Sequence, residues 1–476
     1  MLSLFYIPEI ILSAGVLLII IIDLYLQKNR NITYILIQLL IIISAYYAFI
    51  GKTYFSYSAY EFSLFTSYVK FILLVGTFII FHYTYKHLTY LKNLKIEYFT
   101  ISLLGLIGIM IMISAYSLLM LYLGIELLSL ALYALIGFNK DSGLSSEAAI
   151  KYYVLGAMSS GILLFGVSLI YGFTGSINYF EIANQLNTLN ANSVQYLGVI
   201  FGLIFITASL CFKFGAAPFH IWVPDIYQGS LISTTILLST LPKMAVFIVF
   251  IKLYFIPFYA LSYIWSDILI FVGILSIVIG SIFALTQDNI KRLLAYSAIS
   301  NIGFIILALG LVSKSGLYAS LYYTIIYSFT ALASFGIITH ITSNSNGVEN
   351  ISDLAGLSKT HPYFAILLLI TMLSSAGIPP LIGFHAKLMV VQALIDSNYI
   401  FLTIIVVLMT VISAYYYLKI IKTVYFEERE NLLASYTNNN ILLSMNVILL
   451  LVLGLFPFLI FNLTSYIISL LSVIPI

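Results

Sequence analysis

Apolar runs of about 20 residues recur from one end of this chain to the other, and such a run is what a helix needs to cross a bilayer. The first extends from Leu2 to Ile22 and is interrupted only by Glu9. Of the 476 residues, 62% are hydrophobic and 8% are charged. A soluble domain carries roughly a quarter charged residues, so these residues cannot cover a water-facing surface. Lipid is the solvent. No basic n-region or small-residue cleavage site accompanies the first run. Insertion by a bacterium, or by an organelle that makes the protein itself, is therefore expected.

Several function classes are set aside at once. A single cysteine, Cys211, builds neither a disulfide framework nor an iron–sulfur cluster. No histidine pair stands at metal-ligand spacing with a carboxylate, so no metal is expected. A net charge of +3 offers no case for nucleic acid.

The pattern predicts an all-α polytopic membrane protein of about 14 transmembrane helices. They fall near 4–24, 32–50, 62–84, 98–114, 117–138, 148–172, 195–219, 227–255, 262–286, 291–312, 316–341, 361–394, 399–421 and 440–470. The polar stretches at 173–194, 342–360 and 426–439 are too short to form a core of their own. One set of alternate loops holds most of the cations, among them Lys28, Lys92, Lys140, Lys291, Arg292 and Arg429, and the other only Lys52 and Lys314. Cations in short loops mark the cytoplasmic side or its organellar equivalent, which puts both termini outside.

Charges within the spans are costly in lipid and therefore point to function. Four stand out: one glutamate, Glu126, in helix five, and Lys213, Lys243 and Lys387 in helices seven, eight and twelve. Lysines nearer helix ends, such as Lys70 and Lys252, read as interhelical salt bridges or snorkelling stems. Three of the four charges lie on helices interrupted by proline or glycine. A break frees backbone carbonyls, which lipid tolerates only beside a cavity or within protein. Burial lowers a lysine's pKa and a nearby carboxylate raises it again, so a lysine between the two can load and release a proton. Arginine cannot. His220 and His385 flank the two breaks and could relay protons, whereas His82, His87, His340 and His361 suit packing near helix ends.

Helices four to eight and nine to thirteen share a layout. In each block the fourth helix is interrupted, by Gly215-Ala-Ala-Pro218 and by Gly377-Ile-Pro-Pro380, with Lys213 just before the first break and Lys387 just after the second. Five spans per block invert the topology of the next, and paired broken helices in inverted repeats point to a transport site at the midplane. The expected organisation is a single membrane domain, 1–476. It divides into three leading helices at 1–97, a five-helix repeat at 98–257, its inverted counterpart at 258–430, and a last helix at 431–476.

Five stretches carry a resemblance: GIELLSLALYAL at 124–135, EAAIKYYVLGA at 147–157, FKFGAAPFHIWVPD at 212–225, KRLLAYSAIS at 291–300 and AGIPPLIGFHAK at 376–387. In order and wording the chain resembles the antiporter-like membrane subunits of respiratory complex I over nearly its whole length. The resemblance implies a proton-translocating subunit of an enzyme that oxidises NADH and reduces quinone. FMN, iron–sulfur clusters and quinone would then lie in other subunits, with no cofactor in this chain. It implies antiporter-like siblings and small membrane subunits as partners. Glu126, Lys213 and Lys243 match the family's ionisable positions in helices five, seven and eight. Lys387 matches the helix-twelve lysine on the outlet side, and Lys151 a helix-six lysine on the inside entry route. Two departures are visible: Leu231 stands where the family usually has proline, and Asn301 where sibling subunits often carry histidine.

Two other readings remain open on the residues alone. One is a cation/proton antiporter or a hydrogenase membrane subunit of the same superfamily; the other is a membrane scaffold whose buried charges only pin helices. The Ile-, Tyr-, Phe- and Asn-rich usage suggests an AT-rich genome. A bacterial plasma membrane is expected, with the mitochondrial inner membrane as the alternative.

Overall fold

In a bilayer the backbone has no water to bond, so an apolar run satisfies its peptide groups internally, as a helix. The computed structural model describes residues 7–26, 29–50, 55–57, 59–90, 94–190, 193–344, 349–428 and 440–470. Lys28, Lys52, Lys92 and Arg429, used above in comparing loop charges, lie outside the described residues.

The helices are α1 (Ile7–Tyr25), α2 (Arg30–Ile50), α3 (Leu64–Tyr90), α4 (Ile96–Ser114), α5 (Leu118–Ile136), α6 (Gly143–Thr174), α7 (Tyr179–Thr188) and α8 (Val194–Phe214). They continue with α9 (Trp222–Gly229), α10 (Ile232–Phe255), α11 (Ser262–Leu285), α12 (Ile290–Gly310), α13 (Lys314–Asn344) and α14 (Leu357–Thr360). Last come α15 (Pro362–Ala376), α16 (Ile382–Asp396), α17 (Ile400–Phe426), α18 (Ile441–Leu455) and α19 (Phe458–Ser469). Among the described residues, 12 helices are long and apolar enough to cross a membrane unaided. The two remaining expected spans are interrupted pairs, α15 with α16 and α18 with α19. The second pair bends by 89° at Pro457, whose ring disfavours helical geometry in the residue before it.

Three details differ from the sequence reading. The distal half of the first broken helix is a separate element, α9, so the span expected from 227 begins at Ile232. The polar stretch after α6 holds a short amphipathic helix, α7. It starts at Asn178, whose side chain accepts from the Phe180 and Glu181 amides, and it buries Tyr179, Ile182 and Leu186. A two-stranded hairpin, β1 (Phe55–Tyr57) and β2 (Tyr60–Phe62), precedes α3. Local periodicity carries little signal for elements this short.

The chain forms two compact units. The first comprises the described parts of 1–214, 241–262 and 467–475; the second comprises those of 215–240 and 263–466. Within the first, α6 and α8 pack closely because Gly166 and Gly202 face one another: a Cβ on Gly166 would stand 2.8 Å from the Gly202 carbonyl oxygen. Within the second, Gly303 brings α12 equally near α11. Small residues at such crossings are how helices associate where lipid offers no hydrophobic drive. Helix α10 is buried along its whole length, whereas α1, α6 and α17 carry many exposed apolar residues.

One expectation is corrected here. Glu126 is not the only glutamate taken out of water: Glu9 and Glu61, both in the first unit, are buried more deeply. Lys70 pairs with Glu9 at 2.6 Å, and Tyr60 Oη donates to the same carboxylate oxygen at 2.6 Å. Lys252 pairs with Glu61 at 2.8 Å and donates to the Ile113 carbonyl at 2.9 Å. The partners are far apart in the chain, so nothing in the local sequence marks them. Lys70 and Lys252 take the salt-bridge role rather than snorkelling.

Removing one partner of a buried pair leaves an uncompensated charge, at about 3–5 kcal/mol. Glu61→Gln should therefore lower the melting temperature of the detergent-solubilised protein markedly, and the apolar double variant Glu61→Leu/Lys252→Met should recover most of the loss. Equal stability of the single and double variants would show that the pair is not desolvated.

Candidate functional site

The site is built on the two helix breaks. Helix α8 stops at Phe214 and α15 at Ala376, each followed by a glycine in left-handed geometry: Gly215 at φ 79° and Gly377 at φ 84°. Three residues beyond each glycine stands a proline, Pro218 or Pro380, after a cis peptide bond. Glycine is the residue that enters this conformation at little cost, which is why it ends helices. The last carbonyls of a stopped helix have no amide partners, and here the stop is buried.

Lysines fill that vacancy. Lys243 Nζ donates to the Phe214 carbonyl at 2.7 Å and approaches the Lys213 carbonyl at 3.4 Å. Lys387 Nζ donates to the Ala376 carbonyl at 2.9 Å. An ammonium thus sits at the negative end of each half-helix, where the macrodipole favours a cation. Nearness in sequence points to Lys213 for the first break; the structure puts Lys243 there, because α10 carries it past the end of α8. A third lysine repeats the device. Lys291 Nζ donates to the Gln228 and Ser230 carbonyls at 2.7 and 3.1 Å, closing the C-terminus of α9. Beside it Arg292 Nη1 holds Asp225 at 2.7 Å.

Lys213 turns the other way. Its Nζ donates to Ser129 Oγ at 2.8 Å, and Ser129 lies one turn from Glu126 on α5. Glu126 is half-buried, its Oε1 enclosed and without a hydrogen-bond partner, and close enough to act electrostatically on Lys213. Local sequence carries no signal for Ser129 as the partner of Lys213. Lys387 has two further neighbours, Ser413 Oγ at 3.3 Å and the Phe304 ring, whose centroid is 5.8 Å away.

The secondary residues divide. His220 and His385 lie by the breaks as expected, half-buried, each with an enclosed Nδ1 that has no hydrogen-bond partner. Lys151 is exposed on α6 and paired with Glu147 one turn away at 2.7 Å, so it does not join the buried set. Replacement of the expected proline by Leu231 leaves α10 intact. The Leu231 carbonyl accepts from the Thr234 and Thr235 amides, and Ser230 and Thr235 share a hydroxyl contact at 3.1 Å. Among the described residues no group of three or more His, Cys, Asp or Glu could hold a metal ion.

Several known proteins are similar to the chain in sequence and fold. Residues 115–413 match the family described as NADH:quinone oxidoreductase/Mrp antiporter, transmembrane. A protein of Ruthia magnifica subsp. Calyptogena magnifica named NADH-quinone oxidoreductase subunit N is 42% identical over 457 residues, covering 94% of both chains. A protein of Thioalkalivibrio sulfidiphilus with the same name is 39% identical and covers 97% of this chain and 98% of its own. Among solved structures, a chain of respiratory complex I from Thermus thermophilus aligns with TM-score 0.78 and 25% identity, covering 96% of this chain and 98% of that one. A chain of the Mrp complex from Dietzia sp. aligns with TM-score 0.83 at 19% identity, covering 99% and 100%, a likeness of fold alone. By its family match and by relatives aligned over almost its full length, the chain belongs to the NADH:quinone oxidoreductase/Mrp antiporter transmembrane family.

Proposed function

We propose that the chain is a proton-translocating membrane subunit of an NADH:quinone oxidoreductase, in the place that the relatives named subunit N hold in theirs. The observation that carries the reading is the capping of both half-helix ends by buried lysines, Lys243 and Lys387. Lys243 is held by the Phe214 carbonyl, and Lys387 by the Ala376 carbonyl and the Ser413 hydroxyl, groups that bear partial charge. An ammonium so held is stabilised enough to exist in a low-dielectric interior and loosely enough to give up its proton when a nearby charge changes. Glu126 and Lys213 form the pair whose mutual charge sets the state of Lys243 within the first unit; Lys387 is the proton-carrying lysine of the second. Lys151 with Glu147 would serve the entry side, and His220 and His385 would relay at the breaks.

The residues at 98–257 and 258–430 are read as two inverted five-helix repeats, each with one broken helix. Reduction of quinone by NADH belongs, in this reading, to partner subunits that carry FMN and iron–sulfur clusters. The direct partners are antiporter-like siblings and small membrane subunits. The bacterial sources of the relatives favour a bacterial plasma membrane.

The test is made on the assembled complex in its membrane. Lys213→Ala and Glu126→Gln should leave assembly on a native gel intact. Each should lower NADH-driven proton pumping roughly a hundredfold or more, the scale on which one proton-transfer group contributes. Undiminished pumping in assembled variants overturns the site; cation transport by the isolated chain would favour the antiporter reading.

A backbone variant probes the second break. A Cβ on Gly377 would meet Lys387 Cδ at 2.8 Å, and φ there is 84°. Gly377→Ala should cost about 1–2 kcal/mol of stability from the left-handed backbone and displace Lys387, so that pumping falls. Gly143→Ala, whose added Cβ meets nothing within 4 Å, should leave both unchanged. If Gly377→Ala pumps normally, the position of Lys387 does not matter.

A further inference from the structure

Helix α17 carries an exposed face that the proton path does not use. Ile404, Leu408, Val411, Tyr415, Leu418 and Lys422 recur at steps of four and three, the spacing of a single helix face. The five apolar members are 45–67% exposed. From Ile404 to Lys422 the face runs about 27 Å at 1.5 Å per residue, close to the roughly 30 Å of a hydrocarbon core. At its Lys422 end the face meets a cleft of about 850 Å³ in the second unit, within the size range of small-molecule sites. Tyr415 and Leu418 line the cleft from the apolar face, and Lys419, Lys422, Asp288 and Glu427 supply its charges. The wall that holds Asp288 is fixed by the backbone: the Ile351 amide donates to the Asp288 carbonyl at 2.9 Å, and the Ile290 amide to the Glu349 carbonyl at 2.9 Å. Asp353 Oδ2 accepts from the Asn350 amide at 2.9 Å and pins the same segment.

The charges of the cleft are loosely matched. Lys419 Nζ stands 3.4 Å from Asp288, and Lys422 Nζ 3.2 Å from Glu427. The buried pairs of the first unit close to 2.6–2.8 Å. Exposed or half-buried pairs contribute little, so a ligand can part them. With two ammoniums and two carboxylates on the lining, a ligand of one sign leaves half of them facing like charge. A headgroup with one phosphate and one primary ammonium satisfies both halves. Its phosphate accepts from the two lysines, and its ammonium has three N–H groups to donate to the carboxylates. A choline headgroup has no N–H to donate, and a glycerol headgroup has no cation.

We propose that this cleft is a binding site for a phosphatidylethanolamine molecule, its headgroup among Lys419, Lys422, Asp288 and Glu427 and an acyl chain along the Leu418–Leu408 face of α17. The lysines alone would be ordinary snorkelling stems at a membrane surface; the two facing carboxylates and the apolar face below them make the site selective. The bound lipid joins α17 to the turn that precedes α12, the helix whose Lys291 closes the end of α9. The site stands or falls independently of the proton path.

The experiment uses the assembled complex in phosphatidylcholine nanodiscs that contain a phosphatidylethanolamine with a diazirine on one acyl chain. After photolysis, mass spectrometry should map the label to α17 between Leu408 and Leu418. Unlabelled phosphatidylethanolamine should displace it, and phosphatidylglycerol should compete about tenfold less well, the loss of one charge-assisted contact. Lys419→Ala/Lys422→Ala should lower the labelling by a similar factor, and Asp288→Asn/Glu427→Gln should abolish the preference over phosphatidylglycerol. Lys140→Ala, an exposed cation of the first unit, should leave labelling unchanged. If a double variant fails to assemble, the competition series on the unaltered complex carries the test. Label absent from α17, or present there with no headgroup preference, overturns the site. Equal competition by soluble phosphorylethanolamine overturns the lipid as its occupant.

Discussion

Everything in this structure depends on one rule of lipid: a backbone carbonyl inside the membrane must find a donor. Among the described residues, most helices long enough to span obey it along their whole length. The two breaks at Gly215 and Gly377 violate it on purpose, each ending a helix within the buried interior. Buried lysines answer the violation, Lys243 at Phe214 and Lys387 at Ala376. The break creates partial negative charge, and that partial charge stabilises a buried ammonium. The cation and the interrupted helix are two halves of one device.

That device sorts the lysines. Lys70 and Lys252 each touch a full carboxylate, Glu9 and Glu61, and hold helices together. Lys213 donates to a serine hydroxyl, and Lys243 and Lys387 donate to backbone carbonyls at the breaks. The distinction is chemical. An ammonium paired with a carboxylate at 2.6–2.8 Å is locked by the full Coulomb term of a low-dielectric interior. An ammonium held by dipoles is poised, and a small change in its surroundings moves the proton. Burial alone would not separate these groups, since all five lysines are at most 9% exposed.

The family assignment and the local geometry reinforce one another. The same fold serves a respiratory complex and an Mrp complex, so architecture by itself does not select among the activities. Identity of about 40% over nearly the whole chain with proteins named NADH-quinone oxidoreductase subunit N does select.

Much of this was already readable along the chain. Apolar runs of helical length fixed the number and order of the spans, since lipid admits little else. Glycine and proline marked both breaks, since their backbone limits act locally. The scarcity of charge made Glu126, Lys213, Lys243 and Lys387 conspicuous, because each is costly in lipid and needs a reason. Only the tertiary structure decided who partners whom. It gave the first break to Lys243, set Ser129 against Lys213, and buried Glu9 and Glu61 against distant lysines. It also brought Ser413 from α17 and the Phe304 ring from α12 to Lys387. Partners such as Ser129 and Lys213 lie 84 residues apart. A contact of that kind is set by how helices cross, and helix crossing is decided by packing that no local pattern records.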